Sequence, residues 1–175
     1  MLLAGGVAIE GTAILAREHG AALAARGVEV NVIERAAVWL RNPGMSVLPA
    51  ARAIHATGAA HAMHDPTEGG LATGLHELAE AAGVGLRIDM AAIPVLPECR
   101  LICEALGLDP LGLLASGALV AALEPGEVGP ALDRLRTAGI PGAVIGEVVP
   151  AAEPAPVLPA FARDELARYL ESQGH

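Results

Sequence analysis

Met63-His64-Asp65-Pro66-Thr67-Glu68-Gly69-Gly70-Leu71 is the stretch whose reading orders the rest of the chain. The short run His61 to His64 ends at Asp65-Pro66, and the residue before a proline is pushed out of helical backbone. It therefore reads as a strand end delivered into a turn. Thr67 then stands as the cap of a helix running to about Ala82 and closed by Gly83. Two glycines inside the first turn of a helix cost about 1 kcal/mol each relative to alanine, so they need a reason. One reason is ligand approach: without a Cβ, the free N–H groups of Glu68, Gly69 and Gly70 face outward at the positive end of the helix dipole, where an anion binds. The other is a tight strand-to-helix turn that admits only small residues. The local pattern leaves both open.

The same alternation continues on either side. Gly11 to Arg26 carries a helical apolar stripe ended by Gly27, and Glu29 to Arg41 repeats it before the turn Asn42-Pro43-Gly44. Ser46 is placed to cap a third helix reaching about Thr57, with Pro49 in its first turn. Beyond the central turn, Val84 to Ile88 reads as a strand, Pro97 to Leu106 as a helix closed by Gly107, and Ala118 to Leu123 as a strand. Glu127 to Ala138 reads as a helix and Ala143 to Val149 as a strand. Helices alternating with strands predict an α/β (α+β) fold, with a mixed sheet covered by helices. Residues 1–150 are expected to form the domain. Residues 151–175 supply a Pro/Ala-rich extended segment, Pro150 to Pro159, and a charged helix, Arg163 to Gln173, packed on the same domain.

The composition narrows the chemistry. The chain has 175 residues, suited to one domain, and a formal net charge of −9. All 11 basic residues are Arg, which excludes a Walker-type phosphate lysine, a Schiff-base lysine and a lysine general base. The acidic balance argues against nucleic-acid binding. Its 37 Ala and 21 Gly, beside only Trp39, Phe161 and Tyr169 as aromatics, describe a core of small side chains packed closely. Cys99 and Cys103 lie four apart on one face of a helix, where regular geometry does not allow a disulfide, and read as reduced thiols of a cytoplasmic protein. Met1 to Gly6 lacks a basic leader, and Leu111 to Leu123, the most apolar window, is too short and too broken by glycine to span a membrane. His61 and His64, three apart in a strand, point to opposite faces and make a poor metal pair. Ser46, Ser116 and Ser172 are the only serines, and none lies in a nucleophile elbow. No metal site is expected from protein ligands alone. A divalent ion held by carboxylates such as Asp65 would need a bound phosphate beside it.

Two further glycine stretches join the central turn: Gly5-Gly6-Val7-Ala8-Ile9-Glu10-Gly11-Thr12 and Ala115-Ser116-Gly117. Five blocks then fall in one order: Gly6-Val-Ala-Ile-Glu-Gly-Thr-Ala-Ile-Leu-Ala16, Met63-His-Asp-Pro-Thr-Glu-Gly-Gly-Leu-Ala72, Leu106-Gly-Leu-Asp-Pro-Leu111, Ser116-Gly-Ala-Leu-Val120 and Val144-Ile-Gly-Glu-Val148. In that order the chain resembles the C-terminal domain of the aminoimidazole ribonucleotide (AIR) synthase, or PurM-like, superfamily over nearly its whole length. Within it the nearest resemblance is to the hydrogenase maturation factor HypE and AIR-synthase-related relatives.

That resemblance implies an α/β/α domain that closes over the phosphates of ATP, with Mg2+, in proteins whose N-terminal domain forms a dimer barrel and carries most of the nucleotide ligands. It carries the cofactor-binding role onto Asp65, Thr67, Glu68, Gly69 and Gly70, and assigns no catalytic residue. Three features depart from the HypE pattern. Glu68 stands where HypE commonly has Arg, Ala115-Ser116-Gly117 replaces Asn-Glu-Gly, and the chain ends Ser172-Gln173-Gly174-His175 rather than in a cysteine. No N-terminal domain is present in the 175 residues. Two functional readings follow: an ATP-closing half, inactive alone, and a non-catalytic module that homodimerises or docks on a separate N-terminal domain. Thiamine-phosphate kinases and selenophosphate synthetases share the superfamily and stand as alternatives for the parent enzyme.

Overall fold

The computed structural model describes residues 1–153 and 158–174. Six strands are present among them: β1 (Leu2–Gly5), β2 (Ala60–His64), β3 (Val84–Ile88), β4 (Ala118–Leu123), β5 (Gly142–Val144) and β6 (Gly146–Pro150). The helices are α1 (Ile9–Glu18), α2 (Gly20–Ala25), α3 (Val30–Ala37), α4 (Leu48–His55), α5 (Gly70–Ala82), α6 (Pro97–Leu106), α7 (Val128–Thr137) and α8 (Glu165–Ser172).

Four strands form one sheet in the order β2-β4-β1-β5, and β3 pairs with β6 in a separate ribbon. β1 lies between β4 and β5, with Leu2 opposite Ala121 on one side and Val144 on the other. Because side chains alternate across a strand, the sheet buries both faces. Leu3, Ala118, Val120 and Ala122 belong to the larger core with residues of α1, α5 and α6. Leu2, Ala4, Leu119 and Ala121 pack against Ala50 and Ile54 of α4 and Ala131 and Leu135 of α7. β4 therefore reads as an unbroken apolar run, Ala-Leu-Val-Ala-Ala-Leu, because neither of its faces meets water. This is the layered α/β architecture expected. Among the described residues every strand pairing is antiparallel, however, so no parallel pair there makes the sheet mixed.

Several local expectations are corrected. The strand expected over Ala143 to Val149 is two strands: the chain turns at Gly146, whose φ is +154°, and β6 leaves the sheet to join β3. A Cβ at Gly146 would lie 2.2 Å from the carbonyl oxygen of Arg87, so only glycine lets the two strands meet there. The helix expected over Gly11 to Arg26 begins earlier, at Ile9, and bends at His19, whose backbone (φ −122°, ψ 22°) leaves the helical region. The next one is regular only over α3, and Leu40–Gly44 forms a looser turn containing the extended residue Asn42. Ser46 caps nothing, because α4 starts two residues later with Val47 as its N-cap, although Pro49 does sit in the first turn. β1 lies where no adequate strand is visible in the sequence. It is only four residues long and depends on neighbours more than a hundred residues away.

Cys99 and Cys103 are free and buried on α6. The hydrogen bond to the Cys99 sulfur, with burial, pushes the Cys103 thiol well above the usual range, so it stays neutral in the core. Part of the extended segment expected over Pro150 to Pro159, residues 154–157, lies outside the described residues. Among those described, Leu158, Leu166 and Tyr169 are buried in the larger core.

Candidate functional site

The turn after β2 is set by Pro66 and two glycines. Pro66 is buried while Asp65, Thr67 and Glu68 are exposed. Gly69 and Gly70 both take positive φ, +76° and +72°, and Gly69, not Thr67, occupies the N-cap of α5. The Thr67 hydroxyl donates to a Glu68 carboxylate oxygen at 3.1 Å. A Cβ on Gly70 would lie 2.3 Å from the carbonyl oxygen of Leu111, and one on Gly69 would lie 2.3 Å from Thr73 Oγ1. Backbone conformation, with close approach of Gly70 to residues 111–112 and of Gly69 to Thr73, thus explains both glycines without a ligand.

Two of the three amides that a phosphate would need, those of Gly69 and Gly70, are engaged within the chain. Gly69 N–H donates to Asp164 Oδ2 at 2.8 Å. Gly70 N–H donates to the Thr67 carbonyl at 3.1 Å, and Ala72 N–H to the Leu111 carbonyl at 3.0 Å. What the turn presents to solvent is the Asp65 carboxylate, the Thr67 hydroxyl and the Glu68 carboxylate. This face suits a hydrated divalent cation better than a bare anion.

The three glycine stretches of the sequence come together through one loop. Ala115 N–H donates to the Thr67 carbonyl at 3.1 Å, and Gly11 N–H donates to the Leu114 carbonyl at 3.0 Å. Two residues on, Gly117 (φ +102°) lies so close to Gly5 (φ +86°) that a Cβ on Gly5 would sit 2.2 Å from the Gly117 carbonyl oxygen. The loop 114–117 therefore touches the central turn, the start of α1 and the end of β1. Ala8, buried just before α1, holds a left-handed backbone (φ 54°, ψ 38°), the one non-glycine residue to do so among those described. Beyond the Gly5–Gly117 contact opens a cleft of about 420 Å³, lined in part by Gly6, Asn42, Ser46 and Leu96. Among the described residues, no charged side chain lines it. Val38, Met45 and Leu48, from the segment that supplies one wall of the cleft, are exposed apolar side chains.

The sequence reading missed the part played by the C-terminal segment. Asp164 caps α8 through Oδ1, which accepts from Leu166 N–H at 2.8 Å, while its other oxygen reaches Gly69. Glu165, nearly fully buried, accepts from the backbone N–H of Asp109 at 3.0 Å and from Arg168 Nη2 at 2.6 Å. Arg168 and, secondarily, that backbone N–H hold the Glu165 carboxyl below the usual range. An Asp before a helix is legible as an N-cap, but nothing in the sequence pairs it with a glycine 95 residues earlier.

His61 and His64 do not converge. His61 Nε2 lies 2.8 Å from Glu124 Oε1, and His64 Nε2 lies 2.8 Å from Glu77 Oε2. Among the described residues, no group of three or more His, Cys, Asp or Glu side chains is arranged to hold a metal ion, and no helix is long and apolar enough to cross a membrane.

Comparison with known proteins places the chain in a family. The family described as AIR synthase related protein, C-terminal domain, matches residues 1–158. "Carbamoyl dehydratase HypE" of Rhodobacter capsulatus is 40% identical over 137 residues, which cover 75% of this chain and 38% of that protein. The protein of the same name from Rhizobium leguminosarum bv. viciae is 45% identical over 98 residues, 54% of this chain and 28% of its own length. The crystal structure of E. coli HypE superposes with a TM-score of 0.69 at 26% identity, covering 95% of this chain and 52% of that one. A HypE crystallised in complex with ATP gives a TM-score of 0.63 at 29% identity, covering 94% and 45%. A thiamine monophosphate kinase from Aquifex aeolicus, at 20% identity and a TM-score of 0.57, shares the fold. The chain spans about half the length of the HypE structures it matches, and less of the curated relatives. It belongs to the AIR synthase related family, as that family's C-terminal domain.

Proposed function

We propose that this chain works as the nucleotide-closing half of a HypE-like, ATP-dependent enzyme, together with an N-terminal domain that supplies most of the ATP ligands. The observation that carries this reading is the convergence of the three glycine stretches on loop 114–117, in a chain that resembles half of HypE. Asp65 and Thr67 are the residues suited to meet Mg2+ and phosphate at the outer face of the turn, since a carboxylate and a hydroxyl are hard oxygen ligands. Gly69 and Gly70 shape the turn, and Glu68 weakens its hold on an anion. The glycine-lined cleft and the apolar side chains Val38, Met45 and Leu48 make a docking face for the N-terminal domain, since exposed apolar surface of this kind marks an interface. Reduced thiols at Cys99 and Cys103 fit a cytoplasmic setting.

The test mixes the purified chain with the separately produced N-terminal half of the Rhodobacter capsulatus relative. Light scattering should report a complex, and ATP hydrolysis should appear only in the mixture and fall with Asp65→Ala. Hydrolysis by the chain alone, or no complex and no turnover in the mixture, would overturn the reading.

A further inference from the structure

The family match covers residues 1–158, and the segment beyond it makes specific contacts with the candidate site. Phe161 packs against Gly112, where a Cβ would come within 2.6 Å of its ring. Glu165 N–H donates to the Gly112 carbonyl at 2.9 Å, and its carboxylate takes the N–H of Asp109. Arg168 reaches the Gly107 carbonyl at 2.8 Å. Loop 107–112 is thus held between α8 and the start of α5, whose Ala72 N–H binds the Leu111 carbonyl on the opposite side. Asp164 completes the grip by spanning from its own helix to Gly69. Leu166 and Tyr169 anchor α8 in the core, with Tyr169 edge-on to His19, ring centres 4.9 Å apart.

We propose that residues 161–169 form a clasp that sets the conformation of the Gly69–Gly70 turn, with Asp164 as its positioning residue. One carboxylate serves two helices, capping α8 with one oxygen and holding the left-handed Gly69 with the other. While the clasp is closed, the Gly69 N–H is withheld from any other acceptor, and the working face of the turn is limited to Asp65, Thr67 and Glu68. The clasp bears on function through the role proposed above for that turn. Its structural content stands or falls without it.

The experiment compares the full chain with Asp164→Ser and Asp164→Ala by native-state amide hydrogen exchange. Serine still caps α8 but is too short to reach Gly69. With Asp164→Ser, exchange at Gly69 should accelerate by about tenfold or more, the expected effect of losing a hydrogen bond to a charged group. The amides of Ala72 and Ala115 should follow to a smaller degree, while those of α8, β4 and α7 keep the parent rates. Asp164→Ala should loosen α8 as well. Unchanged exchange at Gly69 in both variants, or equal acceleration at Gly69, β4 and α7, would overturn the clasp. The measurement uses neither nucleotide nor partner domain, so its outcome is separate from that of the mixing experiment.

Discussion

The Gly69–Gly70 turn and the Gly5–Gly117 contact look alike in sequence and differ in what surrounds them. In both, positive φ and a near-contact with a backbone carbonyl demand glycine. The first is closed in, its amides bound to Asp164 and Thr67 and its loop covered by α8. The second opens on an uncharged cleft of about 420 Å³. A glycine that lets a ligand approach and one that lets another backbone approach leave the same mark in a sequence. Only the partners of the freed N–H groups separate the two cases.

The largest effect should come from filling either contact. Gly70→Ala and Gly5→Ala each combine a left-handed backbone, about 1–2 kcal/mol, with overpacking against a carbonyl, about 1–3 kcal/mol. Each should therefore lose about 2–5 kcal/mol in urea unfolding. Gly83→Ala, also left-handed (φ +64°) but with nothing within 4 Å of the added methyl, should lose only the backbone part, about 1–2 kcal/mol. If Gly5→Ala costs no more than Gly83→Ala, the cleft side yields where the clasped side does not, and the likeness between the two glycine contacts is broken.

Acid should act on the clasped side. The folded-state pKa of Glu165 lies below its ordinary 4.5, because of Arg168 and then the Asp109 N–H. A depressed carboxylate contributes stability that is present above the unfolded value and lost as pH falls through the folded one. Denaturant midpoints followed from pH 6 to 3 should drop for the parent below about pH 4.5 and drop less for Glu165→Gln, which starts lower. Parallel curves would show that Glu165 does not couple folding to protons. The smallest effect belongs to the outer face of the turn. Glu68→Arg should tighten binding of magnesium-ATP by about twofold to fivefold, the usual worth of a reversed charge at an exposed helix start. An NMR titration followed at Thr67 and Glu68 measures it, and equal affinity would show that this face does not meet the phosphates.

The parts of the fold legible in sequence were those fixed by local chemistry. Pro97 and Gly107 bracket α6, Gly83 ends α5, and the apolar run of β4 lies where its composition places it. What was not legible depends on distant partners. β1 is a strand only because β4 and β5 flank it, and the run Ala143 to Val149 breaks because β3 waits at Arg87 to receive β6. The same division holds at the site. Asp65 to Gly70 announced a strand-to-helix turn, whereas the carboxylate that closes it lies 95 residues away, at the start of another helix.

The place of β1 in the sheet also bears on how the chain is made. Leu2 pairs with Ala121 and with Val144, so β1 leaves the ribosome with no partner strand until more than a hundred further residues have followed. At about 5–20 residues per second, those apolar residues wait on the order of 10 s or more before their neighbours exist. Closure of the sheet is then a late, long-range event, of the kind that slows folding and exposes strand edges meanwhile. A chaperone that recognises short apolar segments would find Met1 to Ala4 available until β4 and β5 have been made, and release from it would set when the sheet can close.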